Sequence, residues 1–104
     1  MMKTAVAFIV YKRPDTTRRV FEAIRQARPT RLYLIADGPK APDLEPKCQE
    51  VRQIVENGID WDCELTPVYS DENLGLANRV QTGLDYVFSH EKAAIILEDD
   101  TLPN

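Results

Sequence analysis

Short apolar runs alternate with amphipathic stretches along the chain, and this alternation limits the fold more than any other feature of the sequence. The runs at residues 4–11, 31–36, 64–69 and 93–97 are rich in β-branched and other apolar side chains, which predicts four β-strands. Strands that alternate with helices form βαβ units, whose strands pair in parallel. The sequence therefore predicts an α/β fold of three layers, in which a mostly parallel sheet lies between two layers of helices.

Three helices are predicted between these strands. The first has apolar residues at helical spacing, with Asp15 as its candidate N-cap, and Pro29 ends it. The second follows a proline-containing loop at residues 39–46 and stops at the Asn-Gly pair at 57–58. The third covers residues 74–88, directly after a polar turn. The apolar stripe predicted for this third helix consists of Ala77, Val80, Leu84 and Val87.

The composition excludes several classes of protein. The chain has 104 residues, which fits a single domain at residues 1–104. Its 17 acidic and 13 basic side chains give a net charge of −4 without a basic tract, which argues against nucleic-acid binding. No apolar run approaches the roughly 20 residues of a transmembrane helix, and the N-terminus has no secretory signal pattern. Two cysteines are too few for a disulfide framework, so we expect a cytoplasmic protein with reduced thiols.

Polar clusters stand at the carboxyl ends of the predicted strands. These clusters are Lys12-Arg13, Asp37-Gly38, residues 70–73 and residues 98–100. In an open parallel sheet, ligands bind beyond the carboxyl ends of the strands, at the point where the strand order reverses. The placement of the clusters therefore predicts one shared ligand site.

The acidic triplet Glu98-Asp99-Asp100 is the sharpest of these clusters. Neighbouring carboxylates repel one another unless a cation lies between them. Their oxygen atoms suit a hard divalent ion such as Mg²⁺ or Mn²⁺, which proteins hold with one or two carboxylates and substrate phosphates. The triplet thus predicts a metal site, with a solvated acidic turn as the alternative.

The order of these motifs resembles the donor-binding half of a GT-A glycosyltransferase. The resemblance depends on a second strand that ends in Asp-Gly, a third helix entered through Asn-Leu-Gly at residues 73–75, and a fourth strand that ends in the acidic triplet. Residues 95–103 are similar to the metal motif of the N-acetylglucosaminyltransferase I group and of related family 2-like bacterial enzymes. The resemblance covers essentially the whole chain, and it implies a Rossmann-like sheet with the strand order 3-2-1-4.

The resemblance also implies roles for individual residues. Asp100 would be the direct ligand of Mn²⁺ or Mg²⁺, and the ion would bridge to the donor diphosphate. Asp37 would bond to the nucleobase or the ribose, and Asp99 to the ribose or the sugar. The full set of donor-binding residues that the resemblance implies is Tyr11, Arg13, Asp37, Asn73, Gly75, Arg79, Glu98 and Asp99.

The implied function is transfer of a sugar from a nucleotide-diphosphate sugar, with a UDP-sugar as the expected donor, to an unknown acceptor. Family members continue beyond the acidic motif with the acceptor site and, in inverting enzymes, the carboxylate that deprotonates the acceptor hydroxyl. We therefore expect this chain to be an N-terminal donor-binding half, truncated after the motif, with no catalytic residue of its own. Its fourth strand would then be an apolar sheet edge through which homo-oligomers could form.

Three other classes of protein share the alternation of strands and helices. A phosphoacceptor receiver domain requires an acidic pair after the first strand, where this chain has Lys12-Arg13. A nucleotidyltransferase requires a glycine-rich phosphate loop there, and this loop contains no glycine. A non-catalytic interaction module with the same fold remains an open alternative.

Single residues of the predicted site also have simpler interpretations. Asp37 could form an ordinary turn with Gly38, and Arg79 could pair with an acid on its own helix.

Overall fold

A computed structural model describes residues 3–99 of the chain. Its centre is a sheet of four strands, which are β1 (Ala5–Val10), β2 (Arg31–Ala36), β3 (Glu64–Tyr69) and β4 (Ala94–Glu98). All neighbouring strands pair in parallel, and their order in the sheet is β3-β2-β1-β4. The predicted α/β class and the parallel sheet are therefore confirmed, and the strand order is the one that the resemblance implied.

Three helices connect these strands, namely α1 (Pro14–Ala27), α2 (Glu45–Gly58) and α3 (Leu76–His90). A short 3₁₀ turn at Pro42–Leu44 leads directly into α2. Two separate clusters of buried apolar side chains place α1 and α2 on one face of the sheet and α3 on the other, so the three layers are observed. None of the helices within residues 3–99 has the length and the apolar character that a membrane crossing needs.

The two central strands supply most of the core. All six residues of β1 are buried, as are five of the six residues of β2. Because alternate side chains of a strand point to opposite faces, Phe8 and Leu34 join the cluster under α1 and α2, whereas Ala7 and Ile35 join the cluster under α3. The outer strands β3 and β4 are only partly buried. Loops at the carboxyl ends of β1 and β2 therefore start from the best-packed part of the molecule.

Three helix starts differ from the predictions. α1 begins at Pro14, so its N-cap is Arg13 rather than Asp15, and no side chain caps this helix end. Proline is favoured at the first helical position because its missing N–H is not needed there. α2 begins inside the predicted loop, since Glu45 and Pro46 lie in its first turn. α3 begins two residues later than predicted, and the cause lies at the candidate site described below.

β4 forms one edge of the sheet. The Ile95 and Ile96 side chains of this strand point to opposite faces, and the two residues are 42% and 44% exposed. The apolar edge that the sequence predicted is thus present among the described residues.

A polar network ties the amino end of β2 to the turn between α3 and β4. The Glu91 carboxylate accepts hydrogen bonds from Arg31 Nε at 2.9 Å and from the Tyr33 hydroxyl at 2.8 Å. The Arg31 guanidinium holds the pKa of Glu91 below its ordinary value. Burial, together with the hydrogen bond to Glu91, raises the pKa of Tyr33 to about 12. This network fastens the end of the sheet opposite to the polar clusters, so its role is structural.

Candidate ligand-binding site

A pocket of about 190 Å³ opens at the carboxyl ends of β1 and β2, beside the first turn of α3. The strand order reverses at β1, because the chain leaves β3 at one edge of the sheet and returns through α3 to β4 at the other. Open parallel sheets bind ligands at such a position. The residues that line the pocket are Ile9, Val10, Tyr11, Asp37, Lys40, Asn73, Gly75, Leu76 and Arg79. Five of them belong to the predicted donor-binding set, namely Tyr11, Asp37, Asn73, Gly75 and Arg79.

Asp37 is bonded to the chain itself. The residue is 6% exposed. Its Oδ1 accepts hydrogen bonds from the backbone N–H groups of Gly38 and Leu74, both at 2.9 Å. Its Oδ2 accepts from the backbone N–H of Gly75 and from Asn73 Nδ2, both at 3.1 Å. A carboxylate has about four acceptor positions, so all four are used. The contact to a nucleobase or ribose that the resemblance implied for Asp37 would have to displace one of these bonds.

Gly75 explains why α3 begins later than the sequence predicts. Its φ of 83° and ψ of 153° lie in a region that is open almost only to glycine. The chain therefore turns at Gly75 and enters the helix at Leu76. Gly75 has no side chain to cap this helix end, and Asp37 accepts only its backbone N–H. The N–H groups of the first turn from Leu76 onward therefore keep their partial positive charge beside the pocket.

Tyr11 forms one wall of the pocket. Its hydroxyl oxygen accepts hydrogen bonds from the backbone N–H of Lys40 at 2.8 Å and from Asn73 Nδ2 at 3.3 Å. The Lys12 Nζ lies 5.7 Å from the centre of the Tyr11 ring. Tyr11 thus joins the loops after β1, β2 and β3, and the Lys12 ammonium lies beside its ring.

Arg79 lines the pocket with a guanidinium that is partly buried and forms no ion pair among the described residues. The residue is 6% exposed, and its Nε is buried without a hydrogen-bond partner. Within residues 3–99, no carboxylate forms an ion pair with it. The alternative that Arg79 pairs with an acid on its own helix is therefore wrong for the described part of the chain. A buried guanidinium that lines a pocket and lacks a counter-charge suits an anionic ligand.

The remaining predicted residues lie around the pocket or beyond the described chain. Arg13 is exposed and does not line the pocket. The backbone N–H of Asp99 donates to the Ile9 carbonyl oxygen at 3.0 Å, so the acidic segment begins next to a residue that lines the pocket. Glu98 precedes it at the end of β4. Asp100, the predicted metal ligand, lies outside the described residues.

The donor chemistry of the acidic segment fits a hard divalent ion. Carboxylate oxygens such as those of Glu98 and Asp99 are the ligands that Mg²⁺ and Mn²⁺ prefer. Within the part of the chain that the structure describes, no three histidine, cysteine or acidic side chains come together to hold a metal.

Arg52 supports the pocket from α2, although nothing in the sequence pointed to it. Its terminal nitrogen donates to the carbonyl oxygens of Asp37 at 3.1 Å and Ser70 at 3.2 Å. Its guanidinium also stacks on the Tyr69 ring at 4.3 Å. These contacts join the carboxyl ends of β2 and β3, and their partners are distant in sequence. No local pattern could have found them.

Comparisons with known proteins do not assign the chain to a family. No protein-family model matches the sequence, and no curated protein or solved structure shows significant similarity to the chain. The fold and the pocket together define an α/β protein with a pocket at the carboxyl edge of a parallel sheet, and Lys40 and Arg79 are the cationic residues that line it.

Proposed function

We propose that this chain is the donor-binding part of a GT-A glycosyltransferase, which binds a nucleotide-diphosphate sugar together with Mn²⁺ or Mg²⁺. The observation that carries the proposal is Arg79, which lines a pocket at the carboxyl edge of the sheet, is 6% exposed, has a buried Nε without a hydrogen-bond partner, and forms no ion pair with a carboxylate of residues 3–99. A buried cation without a counter-ion is unfavourable. The diphosphate of the donor is an anion that would neutralise it.

The surroundings of Arg79 support the same class of ligand. The first-turn N–H groups of α3 from Leu76 onward add partial positive charge, and such helix ends bind phosphate groups in many proteins. Lys40 lines the pocket, and Lys12 lies beside its Tyr11 wall. The Asp37 carboxylate also lines the pocket and keeps its negative charge, although N–H donors of the chain use all its acceptor positions. The pocket favours an anion because positive side chains from three separate segments, Arg79, Lys40 and Lys12, outnumber this acid.

The apolar walls of the pocket suit the remainder of the donor. The Tyr11 ring provides an aromatic face, on which a planar base can stack. Leu76 is 72% exposed at the start of α3 and also lines the pocket. We assign these two side chains to the base or the sugar, and Arg79 to the diphosphate.

The metal belongs to the proposal through the acidic segment. Asp100 would hold Mn²⁺ or Mg²⁺, with Glu98 and Asp99 close to the donor. When bound, such an ion offsets the negative charge that develops on a leaving diphosphate. The residues of this chain would bind and orient the donor, and the group that activates the acceptor is not assigned to any of them.

Calorimetric titration of the chain with UDP and GDP, each with and without Mn²⁺, tests the proposal. We expect saturable binding of UDP that disappears when the metal is chelated, and loss of that binding in Arg79→Met. The matched control is Arg19→Met, which removes the same charge from an exposed position of α1 and should bind as the wild type does. A folded wild-type chain that binds neither nucleotide would refute the proposal.

A second candidate, a non-catalytic interaction module, is favoured by the exposed Ile95 and Ile96 at the sheet edge. Exposed apolar edges pair readily with other strands. Sedimentation velocity of the wild type and of Ile96→Lys separates the two candidates. Self-association that the substitution abolishes, in a chain without nucleotide affinity, would favour the interaction module.

A further inference from the structure

We infer that Asp37 is a positioning residue, which holds the start of α3 in place and so presents Arg79 to the anion, rather than a residue that contacts the base or ribose. This inference rests on the proposed function and names how the pocket achieves it. Its basis is that all four acceptor positions of a carboxylate that is 6% exposed are used by the chain itself.

The link from Asp37 to Arg79 is short and continuous. Both oxygens of Asp37 bond to the segment before α3, at the N–H groups of Leu74 and Gly75 and at the Asn73 amide. The position of Gly75 fixes the start of the helix, because the Gly75 carbonyl oxygen accepts the first helical hydrogen bond, from the backbone N–H of Arg79 at 2.9 Å. A change at Asp37 should therefore move the helix N-terminus and the guanidinium together.

The opposite side of Asp37 is also fixed. Arg52 donates to the Asp37 carbonyl oxygen at 3.1 Å. At the next residue, a Cβ on Gly38 would lie 2.6 Å from the backbone oxygen of Asp71, so only glycine permits this close approach of the two loops. Asp37 is thus held through its backbone by β2, α2 and the loop after β3. A side chain fixed on such a base can impose its geometry on the more weakly packed segment at 73–75.

Charge and geometry predict opposite signs for the effect of Asp37 on anion binding. Removing a carboxylate next to an anion site lowers electrostatic repulsion and should, by Coulomb attraction alone, increase affinity for the anion. Removing the hydrogen bonds of Asp37 to residues 73–75, which position Arg79, should decrease the affinity for the anion. An asparagine at this position keeps the size but turns two N–H donors toward groups that are themselves donors. A loss of anion affinity in Asp37→Asn would therefore come from geometry.

The experiment compares two probes by calorimetry in the presence of Mg²⁺, namely UDP and inorganic pyrophosphate, which lacks base and ribose. For Asp37→Asn we expect the affinity for both probes to fall about tenfold or more, which corresponds to roughly 1.4 kcal/mol or more of binding free energy. The two factors should agree within about threefold. Amide hydrogen exchange at Leu74 and Gly75, followed by NMR, should become faster in the same variant. The charge control is Asp71→Asn, an exposed acid that does not line the pocket, and it should leave both affinities unreduced.

Gly75→Ala provides a second perturbation that leaves the charge of Asp37 in place. A Cβ there would meet no atom within 4 Å, so the substitution strains only the backbone at its positive φ. Gly75→Ala should also lower the affinity for UDP and for pyrophosphate by similar factors. This variant keeps the inference testable if Asp37→Asn does not fold.

Each contrary outcome points to a different failure. Unchanged pyrophosphate affinity with weakened UDP binding in Asp37→Asn would show that Asp37 contacts the base or ribose and would overturn the inference, while the proposed function would stand. Unchanged amide hydrogen exchange at Leu74 and Gly75 would overturn the inference as well, because it would show that Asp37 does not hold these N–H groups in place. A wild-type chain that binds neither probe would refute the proposed function and the inference together.

Discussion

Replacing Arg79 with methionine should stabilise the ligand-free protein and abolish its affinity for anions. Arg79 is 6% exposed, and its Nε lacks a partner among residues 3–99. Leaving one such donor buried costs about 1–3 kcal/mol. Methionine keeps a long, adaptable side chain at the position and removes both the donor and the charge. We expect the free energy of unfolding to rise by about 1–2 kcal/mol, and each kcal/mol corresponds to about 4–8 °C in Tm for a domain near this size.

Arg52 provides the matched comparison, because its Nε is also buried without a partner. Unlike Arg79, Arg52 donates from its terminal nitrogen to two carbonyl oxygens and stacks on Tyr69. Hydrogen bonds from a charged donor contribute about 1.5–3 kcal/mol each, so their loss outweighs removal of the unpaired Nε. Arg52→Met should therefore lower the free energy of unfolding by about 1–3 kcal/mol.

Urea unfolding in the presence of Mg²⁺, followed by far-UV circular dichroism, measures both variants with and without pyrophosphate. At about 100 times its Kd, a ligand that binds only the folded state stabilises the wild type by about 2.7 kcal/mol, and Arg79→Met should gain nothing. A ligand-free Arg79→Met protein that is less stable than the wild type by about 1 kcal/mol would refute the reasoning. The guanidinium would then stabilise the fold, and its burial would not indicate an anion.

Three further substitutions test the metal, the polar network and the core. Asp100→Ala should abolish the Mn²⁺-dependent part of nucleotide binding while the circular dichroism spectrum stays unchanged, and calorimetry that still detects this part would exclude Asp100 as the ligand. Arg31 lowers the pKa of Glu91 in the folded state, so the carboxylate stabilises the fold above its ordinary pKa of 4.5 and loses this contribution as the pH falls through the lowered value. Urea unfolding from neutral pH to about pH 3 should thus show a shallower loss of stability for Glu91→Gln than for the wild type, and equal slopes would contradict this. Thr17→Val should raise the free energy of unfolding by about 1 kcal/mol, because the fully buried Oγ1 has no partner among the described residues, and a lower urea midpoint would argue against it.

The strands were predictable because their signal is local. The range predicted for β3, residues 64–69, is the observed one, and β1 and β2 lie within or at their predicted ranges. Apolar side chains in a short run are enough to indicate a buried strand. The order of strands in the sheet is a property of distant pairings, which periodicity cannot contain, and it came from the resemblance alone.

The start of α3 could not be predicted because its cause is remote in sequence. The apolar pattern placed Leu74 and Gly75 in the first turn of α3. Their backbone N–H groups instead donate to Asp37, which directly follows β2. No residue near position 74 indicates that these N–H groups bond to Asp37 instead of starting the helix. The glycine at position 75 was evident from the sequence, but its positive φ was not.

The burial of Arg79 had a signal that the apolar pattern obscured. The predicted stripe included Ala77, which is exposed, whereas the buried residues of α3 are Arg79, Gly83 and Val87. These three positions follow the helical spacing of i, i+4 and i+8. A Cβ on Gly83 would lie 2.6 Å from Ile35 Cγ2, so the missing side chain lets α3 approach β2 closely. Arg79 lies one helical turn before Gly83, on the same buried face of α3.

The two buried charges of the pocket differ in what satisfies them. Asp37 and Arg79 line the same pocket and are equally exposed, yet no ion pair joins them. A pocket that served only to close the core would gain most by pairing these two groups, since an unpaired buried charge is unfavourable. Instead, neutral N–H donors satisfy the carboxylate, and the guanidinium keeps its hydrogen-bonding capacity. Because the carboxylate is occupied and the guanidinium is not, Arg79 is the group of this pair that can bond to the anion that we propose as the ligand.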